Sequence, residues 1–193
     1  GWGTEPYAEL VERLLDERSA SSVALLGPSF GGRIAIRLAA QRPERVSRLV
    51  LVASAGVRLP RSLAVRAKGA ATRLVGRILA FPGWGPLGER LLGQWRDRMG
   101  SRDYRAAGAM RPTLVGVVNE YLTPMLPRIQ APTLLLWGDR DDEVPRRAVD
   151  VLAERIPRAR LTVFPGAGHF PFLDAPEAFQ RCLTDFLREA DPC

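Results

Sequence analysis

Residues able to do chemistry are concentrated in three short segments of this 193-residue chain. The first is Gly27-Pro28-Ser29-Phe30-Gly31, a serine with a glycine two residues away on either side. The second is Gly138-Asp139-Arg140-Asp141-Asp142-Glu143-Val144-Pro145, which holds four carboxylates. The third is Pro165-Gly166-Ala167-Gly168-His169-Phe170, which carries the only histidine. A serine hydroxyl is a weak nucleophile until an adjacent base takes its proton. An imidazole can do this near neutral pH if a carboxylate holds its tautomer and orientation. On residue type alone Asp139, Asp141, Asp142 and Glu143 could each be that carboxylate. The competing use of the first segment is a glycine-rich turn that cradles a phosphate. It lacks the Lys-Ser/Thr ending of a phosphate-binding loop, because Gly31-Gly32 runs on into Arg33-Ile34.

The elements around these segments decide where they sit. Val23-Ala24-Leu25-Leu26 reads as a buried strand ending at Gly27, and Phe30 to Gln41 as a helix stopped by Pro43. Ser29 therefore falls on a strand-to-helix turn. Such a turn forces the serine into strained backbone geometry and leaves its hydroxyl above the sheet. The helix behind it aims amides and positive dipole at any oxyanion formed there, with the Phe30 amide as one donor. Leu49 to Ala53, Thr133 to Trp137 and Leu161 to Phe164 read as further strands. Helices are expected at Tyr7–Arg18, with Leu10, Val11, Leu14 and Leu15 on one face, and at Arg146–Arg155 and Glu177–Glu189. Uniformly apolar strands alternating with helices specify an α/β fold, a parallel sheet covered on both faces. Both the acid segment and His169 follow directly on strands, where the ligand-facing loops of a parallel sheet emerge.

The middle of the chain breaks this alternation. From Val57 to Pro127 no strand pattern appears, and helical stretches are expected near Ser62–Ala80, Leu87–Met99, Ser101–Met110 and Thr113–Tyr121. The segment 57–128 therefore reads as an all-helical insertion into a core made of 1–56 and 129–193. Net charge is +7, and the insertion alone carries 13 basic against 4 acidic residues. Its cations are arginines apart from Lys68. Charge of this kind is a weak footprint for nucleic acid, and a solvated arginine-rich surface is expected. No uncharged apolar run approaches the eighteen residues of a membrane span, and no signal-peptide pattern opens the chain. Cys182 and Cys193 make neither a disulfide framework nor a metal-ligand spacing, which suits a reducing cytoplasm. Neither a metal nor an organic cofactor is expected.

With these residues in place, the chain resembles the α/β-hydrolase superfamily, in its branch of esterases, carbon–carbon bond hydrolases and peroxidase-like relatives. Leu26-Gly27-Pro28-Ser29-Phe30-Gly31-Gly32 resembles its nucleophile elbow. Trp137 to Pro145 resembles its acid loop, in which the carboxylate three residues after the glycine serves. That resemblance selects Asp141. Gly166-Ala167-Gly168-His169 resembles its histidine loop, 28 residues further on, and the order serine, aspartate, histidine is the one the fold uses. The insertion 57–128 occupies the place of the family's helical cap, which covers the pocket. Serine at the elbow, where aspartate would stand, argues against the haloalkane dehalogenase and epoxide hydrolase branches.

The chain departs from the family pattern in two ways. Pro28 precedes the serine where relatives often have histidine, so the elbow loses an amide and gains a fixed φ. The family's first strands and its His-Gly loop, which donates the second oxyanion amide, have no counterpart here. Gly1-Trp2-Gly3 resembles the tail of the loop after the family's fourth strand, making the four strands read here its fifth to eighth. The sheet should then have an uncovered edge where the missing strand belongs, an aggregation hazard; a homodimer or a missing N-terminal segment is the partner expectation. Without a second oxyanion donor, turnover is expected to fall by about 10²–10³. The implied activity is hydrolysis of a small to medium carboxylic ester by Ser29, Asp141 and His169 through an acyl-enzyme. Carbon–carbon bond hydrolysis of a diketone is the nearest alternative, and a non-catalytic protein that binds through its basic insertion is the third.

Overall fold

The computed structural model describes residues 3–54, 56, 57, 77, 90, 108, 113, 116, 117 and 120–189. By its contacts the chain divides into two units, one spanning Leu59–Val115 and the other Trp2–Arg58 with Gly116–Cys193. Most of the first unit, and with it most of the expected helical insertion, lies outside the described residues. Of its described residues, Arg77, Arg90 and Thr113 are helical and Gly108 is in a 3-10 turn. The second unit carries all three chemical segments.

In that unit α1 (Glu5–Glu17) leads to β1 (Val23–Pro28), α2 (Phe30–Gln41) and, after a 3-10 turn at Pro43–Arg45, β2 (Val46–Val52). A second 3-10 segment, Thr123–Arg128, precedes β3 (Thr133–Gly138), α3 (Arg146–Arg155) and β4 (Ala159–Phe164). The short α4 (Pro171–Asp174) and the longer α5 (Pro176–Arg188) follow. The strands form one parallel sheet in the order β1-β2-β3-β4. This is the α/β architecture expected from the alternation of apolar runs and helical patterns.

Alternation of side chains along the central strands explains why both faces are covered. Leu49 and Leu51 of β2 and Leu135 of β3 point to one face, where they meet Ala35, Ile36, Leu38 and Ala39 of α2 and Leu152 of α3. Val50 and Val52 with Leu134 and Leu136 point to the other, against Phe164 and the Phe179 and Phe186 rings of α5. All five strand leucines and both valines are at most 4% exposed. Burying each removes an aliphatic side chain from water, worth about 1.5–3 kcal/mol apiece.

Among the details that differ from the pattern read in the sequence, three concern how the elements pack. The apolar stripe of α1 runs through Ala8, Val11 and Leu15, which pack on the core, while Leu10 and Leu14 are exposed. Residues 8, 11 and 15 follow the i, i+3, i+7 spacing of one helix face, and Leu10 and Leu14 fall beside it. Within the expected insertion 57–128, the stretch from Gly116 onward packs with the sheet unit. The reason is apolar seating: Leu122 and Leu126 are fully buried in the α2-side core. Polar groups fasten the same stretch. Arg33 of α2 is buried and donates to the Val117 carbonyl oxygen at 2.9 Å. Arg37 pairs with Glu120 and donates through Nε to Thr4 Oγ1 at 2.7 Å, while the Thr4 amide donates to Glu120 Oε2 at 3.0 Å.

Third, β1 reaches Pro28 rather than ending at Gly27. It is an edge strand, with Leu26 42% exposed. The Ser29 amide donates to the Val52 carbonyl at 2.9 Å. Successive N–H groups of a strand point to opposite edges, so the one proline lacks at position 28 would have faced away from β2. The proline therefore costs the ladder no hydrogen bond.

Candidate active site

The serine turn is built by close contacts that exclude side chains. Ser29 has φ 45° and ψ −112°, in the positive-φ region that non-glycine residues rarely occupy. The turn closes so tightly that a Cβ on Gly27 would lie 2.6 Å from the Gly31 carbonyl oxygen. A Cβ on Gly32 would lie 2.0 Å from Ser54 Oγ. That hydroxyl is buried and donates to the Gly27 carbonyl at 2.9 Å, tying the end of β2 to the elbow. Phe30 opens α2, so its amide has no acceptor within the helix. The Phe30 ring is 40% exposed and stacks edge-on with Tyr7 at 5.3 Å.

The acid loop leaves β3 and folds back on itself around one carboxylate. Asp141 Oδ1 accepts the amides of Glu143 at 2.8 Å and Val144 at 2.9 Å, and the Asp141 side chain is fully buried. Its carboxylate lies against His169, with Nδ1 3.0 Å from Oδ2 and 3.1 Å from Oδ1. Of the four carboxylates left open by residue type, Asp141 is thus the one placed on Nδ1. A neutral imidazole in this position carries its proton on Nδ1 and a lone pair on Nε2, the tautomer a general base requires.

Two further carboxylates of this region hold backbone. Asp139 Oδ1 accepts the Gly166 amide and Asp174 Oδ2 the Gly168 amide, each at 2.7 Å. Together they pin the histidine loop from both ends. The loop also leans across the end of β3. The Arg140 amide donates to the Ala167 carbonyl at 2.9 Å, and a Cβ on Gly138 would lie 2.3 Å from the carbonyl oxygens of Ala167 and Gly168. This lean matters because β4 and β1 are three strand spacings apart, about 14 Å. By crossing the end of β3, the loop brings the imidazole back toward the serine end of the sheet. The positioning roles of Asp139, Asp174 and Ser54 were not readable in the sequence, because each depends on a partner brought in from a different loop or strand. Asp142 is exposed.

Ser29, Asp141 and His169 all follow the C-terminal ends of parallel strands and so share one end of the sheet. Asp141 and His169 are in contact. No hydrogen bond joins Ser29 to His169 among the described residues; such contacts commonly tighten when substrate binds. Nε2 of His169 instead faces Glu143 Oε2 at 3.4 Å. Among the described residues no group of three His, Cys, Asp or Glu side chains is placed to hold a metal ion, and no helix is long and apolar enough to cross a membrane.

Comparison with known proteins agrees with this fold. A pimeloyl-[acyl-carrier protein] methyl ester esterase from Nitrosomonas europaea is 32% identical over 184 residues, covering 88% of this chain and 73% of the relative. A 2-hydroxymuconate semialdehyde hydrolase from Pseudomonas putida is 34% identical over 190 residues, covering 92% of this chain and 66% of the relative. The chain thus spans about two thirds to three quarters of the length of these two relatives, and 62% of an uncharacterized mycobacterial relative. Among solved structures, a meta-cleavage product hydrolase from Pseudomonas fluorescens superposes with a TM-score of 0.69 at 22% identity, covering 99% of this chain and 74% of that one. The sequence pattern described as the alpha/beta hydrolase fold matches residues 1–176, and the chain belongs to that family.

Proposed function

We propose that this chain is a serine hydrolase in which Ser29 is the nucleophile, His169 the general base and Asp141 the residue that orients it. The observation that carries the reading is the buried Asp141 carboxylate on Nδ1 of the only histidine, 3.0 Å away. With Nδ1–H committed to Asp141, Nε2 is left to take the Ser29 proton as Oγ attacks an acyl carbon. The developing oxyanion meets the Phe30 amide at the start of α2. Nε2 then protonates the leaving alcohol, and water hydrolyses the acyl-enzyme by the same route in reverse roles.

The substrate is a small to medium carboxylic ester, in keeping with the relative named as a methyl ester esterase. The second reading, hydrolysis of a carbon–carbon bond next to a ketone, is favoured by the relative named as a 2-hydroxymuconate semialdehyde hydrolase. The segment 57–128 would serve as the helical cap over the pocket, and the protein would work in the cytoplasm on a small molecule. Ester hydrolysis should fall to background in Ser29→Ala, and a fluorophosphonate should label Ser29 alone. Labelling elsewhere, or an active Ser29→Ala protein, defeats the assignment. Cleavage of a vinylogous diketone but of no ester would select the second reading.

A further inference from the structure

His169 is held between two carboxylates, and the triad accounts for only one. Asp141 sits on Nδ1 with its side chain wholly buried. On the other side of the ring Glu143 Oε2 lies 3.4 Å from Nε2, and the Glu143 side chain is 63% exposed. The root of that side chain is fixed, because the Glu143 amide donates to Asp141 Oδ1 at 2.8 Å. One carboxylate is thus internal, and the other stands at the surface over the reacting nitrogen.

This position has a geometric consequence, which rests on the reaction proposed above. Any leaving-group atom protonated by Nε2 must come within about 3 Å of it. Oε2 is 3.4 Å from the same nitrogen, so the leaving atom and the Glu143 carboxylate lie within about 6.5 Å of each other in any productive pose. A second anion on the substrate, a few ångströms from the scissile bond, would then sit roughly 8 Å from Glu143. At that distance like charges repel enough to lower kcat/KM by a factor of about 2 to 30, the range set by effective dielectrics between 80 and 20.

We propose that Glu143 is a charge selector: it disfavours substrates that carry a carboxylate near the scissile bond and so restricts the site to uncharged acyl esters. Glu143 also attracts the imidazolium formed when Nε2 takes the serine proton. That attraction is common to all substrates, so it changes their rates together. The ratio of rates for an uncharged and an anionic substrate isolates the field on the substrate itself.

The test uses two p-nitrophenyl esters of equal chain length, a monoester of a short dicarboxylic acid and its methyl-capped counterpart. Their kcat/KM ratio is measured for the wild-type chain, Glu143→Gln and Glu143→Lys, in about 20 mM and about 500 mM salt. The wild type should prefer the capped ester. Glu143→Gln should lower that preference about 2- to 30-fold, Glu143→Lys should lower it further, and salt should move the wild type toward the Gln variant. Gln keeps the backbone amide that donates to Asp141, so its fold is retained. A ratio unmoved by both substitutions overturns the selector alone. Hydrolysis of neither ester by the wild type, or undiminished hydrolysis by Ser29→Ala, overturns the underlying reaction and the selector with it.

Discussion

A single methyl group on Gly138 tests whether the histidine loop must lean across β3. The Cβ of Gly138→Ala would lie 2.3 Å from the carbonyl oxygens of both Ala167 and Gly168, where ordinary contact begins at 3.4 Å. Both obstructing atoms are backbone, so no rotamer change relieves the clash. The loop must withdraw by about 1 Å, or the end of β3 must give by the same amount; overpacking of this kind costs roughly 1–3 kcal/mol. His169 follows Gly168 directly, and its Nδ1 is 3.0 Å from Asp141 Oδ2. Withdrawal by an ångström stretches that contact beyond hydrogen-bonding range. Misplacing a catalytic group by about 1 Å can cost about 10²-fold in turnover, which is the expected loss in kcat. A second readout does not depend on activity. His169 is the only histidine, so one strongly deshielded ring N–H resonance reports its bond to Asp141, and in Gly138→Ala that signal should disappear while a urea titration shows the protein still folded. A folded variant that keeps both the resonance and a kcat within about threefold of wild type would refute the idea that the missing Cβ sets the loop's position.

Ser54→Ala should destabilise the chain by about 1–3 kcal/mol, because it leaves the buried Gly27 carbonyl without the hydroxyl at 2.9 Å; denaturant titration measures this. Burial acts to raise the Glu120 carboxyl, but hydrogen bonds from Thr4 and the Arg37 charge outweigh it and hold the group below its ordinary 4.5. The stability it contributes is therefore complete above pH 4.5 and lost as pH falls through the depressed value. Glu120→Gln should cost about 1 kcal/mol at pH 7, and thermal melts of variant and wild type should converge on acidification below pH 4.5. Asp174→Asn should keep the fold but lower kcat with little change in KM, because the Gly168 amide loses a charged acceptor at 2.7 Å and the loop carrying His169 loosens.

The secondary structure was largely legible because it rests on local patterns. Phe30–Gln41 and Arg146–Arg155 are helices with the bounds their periodicity and flanking prolines predict. All four strands extend beyond their apolar runs, to Pro28 in β1, back to Val46 in β2, to Gly138 in β3 and back to Ala159 in β4. Pairing with a neighbour, Val23 with Val46 or Thr133 with Ala159, recruits residues that have no strand pattern of their own. The buried face of α1 differs from its sequence pattern for a related reason: Leu10 and Leu14 are as apolar as Leu15, and only the packing of α1 on the core separates them.

At the site the division is sharper. Sequence alone determined that Ser29 lies on a strand-to-helix turn, that the carboxylates lie just after a strand, and that one histidine lies in a glycine-rich loop after another. These follow from short-range patterning, since a strand, a turn and a helix each announce themselves within about ten residues. Residue type left open which carboxylate meets Nδ1, with only the family resemblance pointing to Asp141, and which one faces Nε2 was decided only in three dimensions. Asp139, Asp141, Asp142 and Glu143 are near neighbours in the chain, yet Asp139 turns to Gly166, Asp141 inward to His169 and Glu143 outward over the opposite nitrogen. The sorting comes from the amides of Glu143 and Val144 closing on Asp141 and from the missing side chain at Gly138, which lets a loop 28 residues away settle on the end of β3. A contact made by two loops is fixed by the sheet that carries them, and neither loop records it in its own residues.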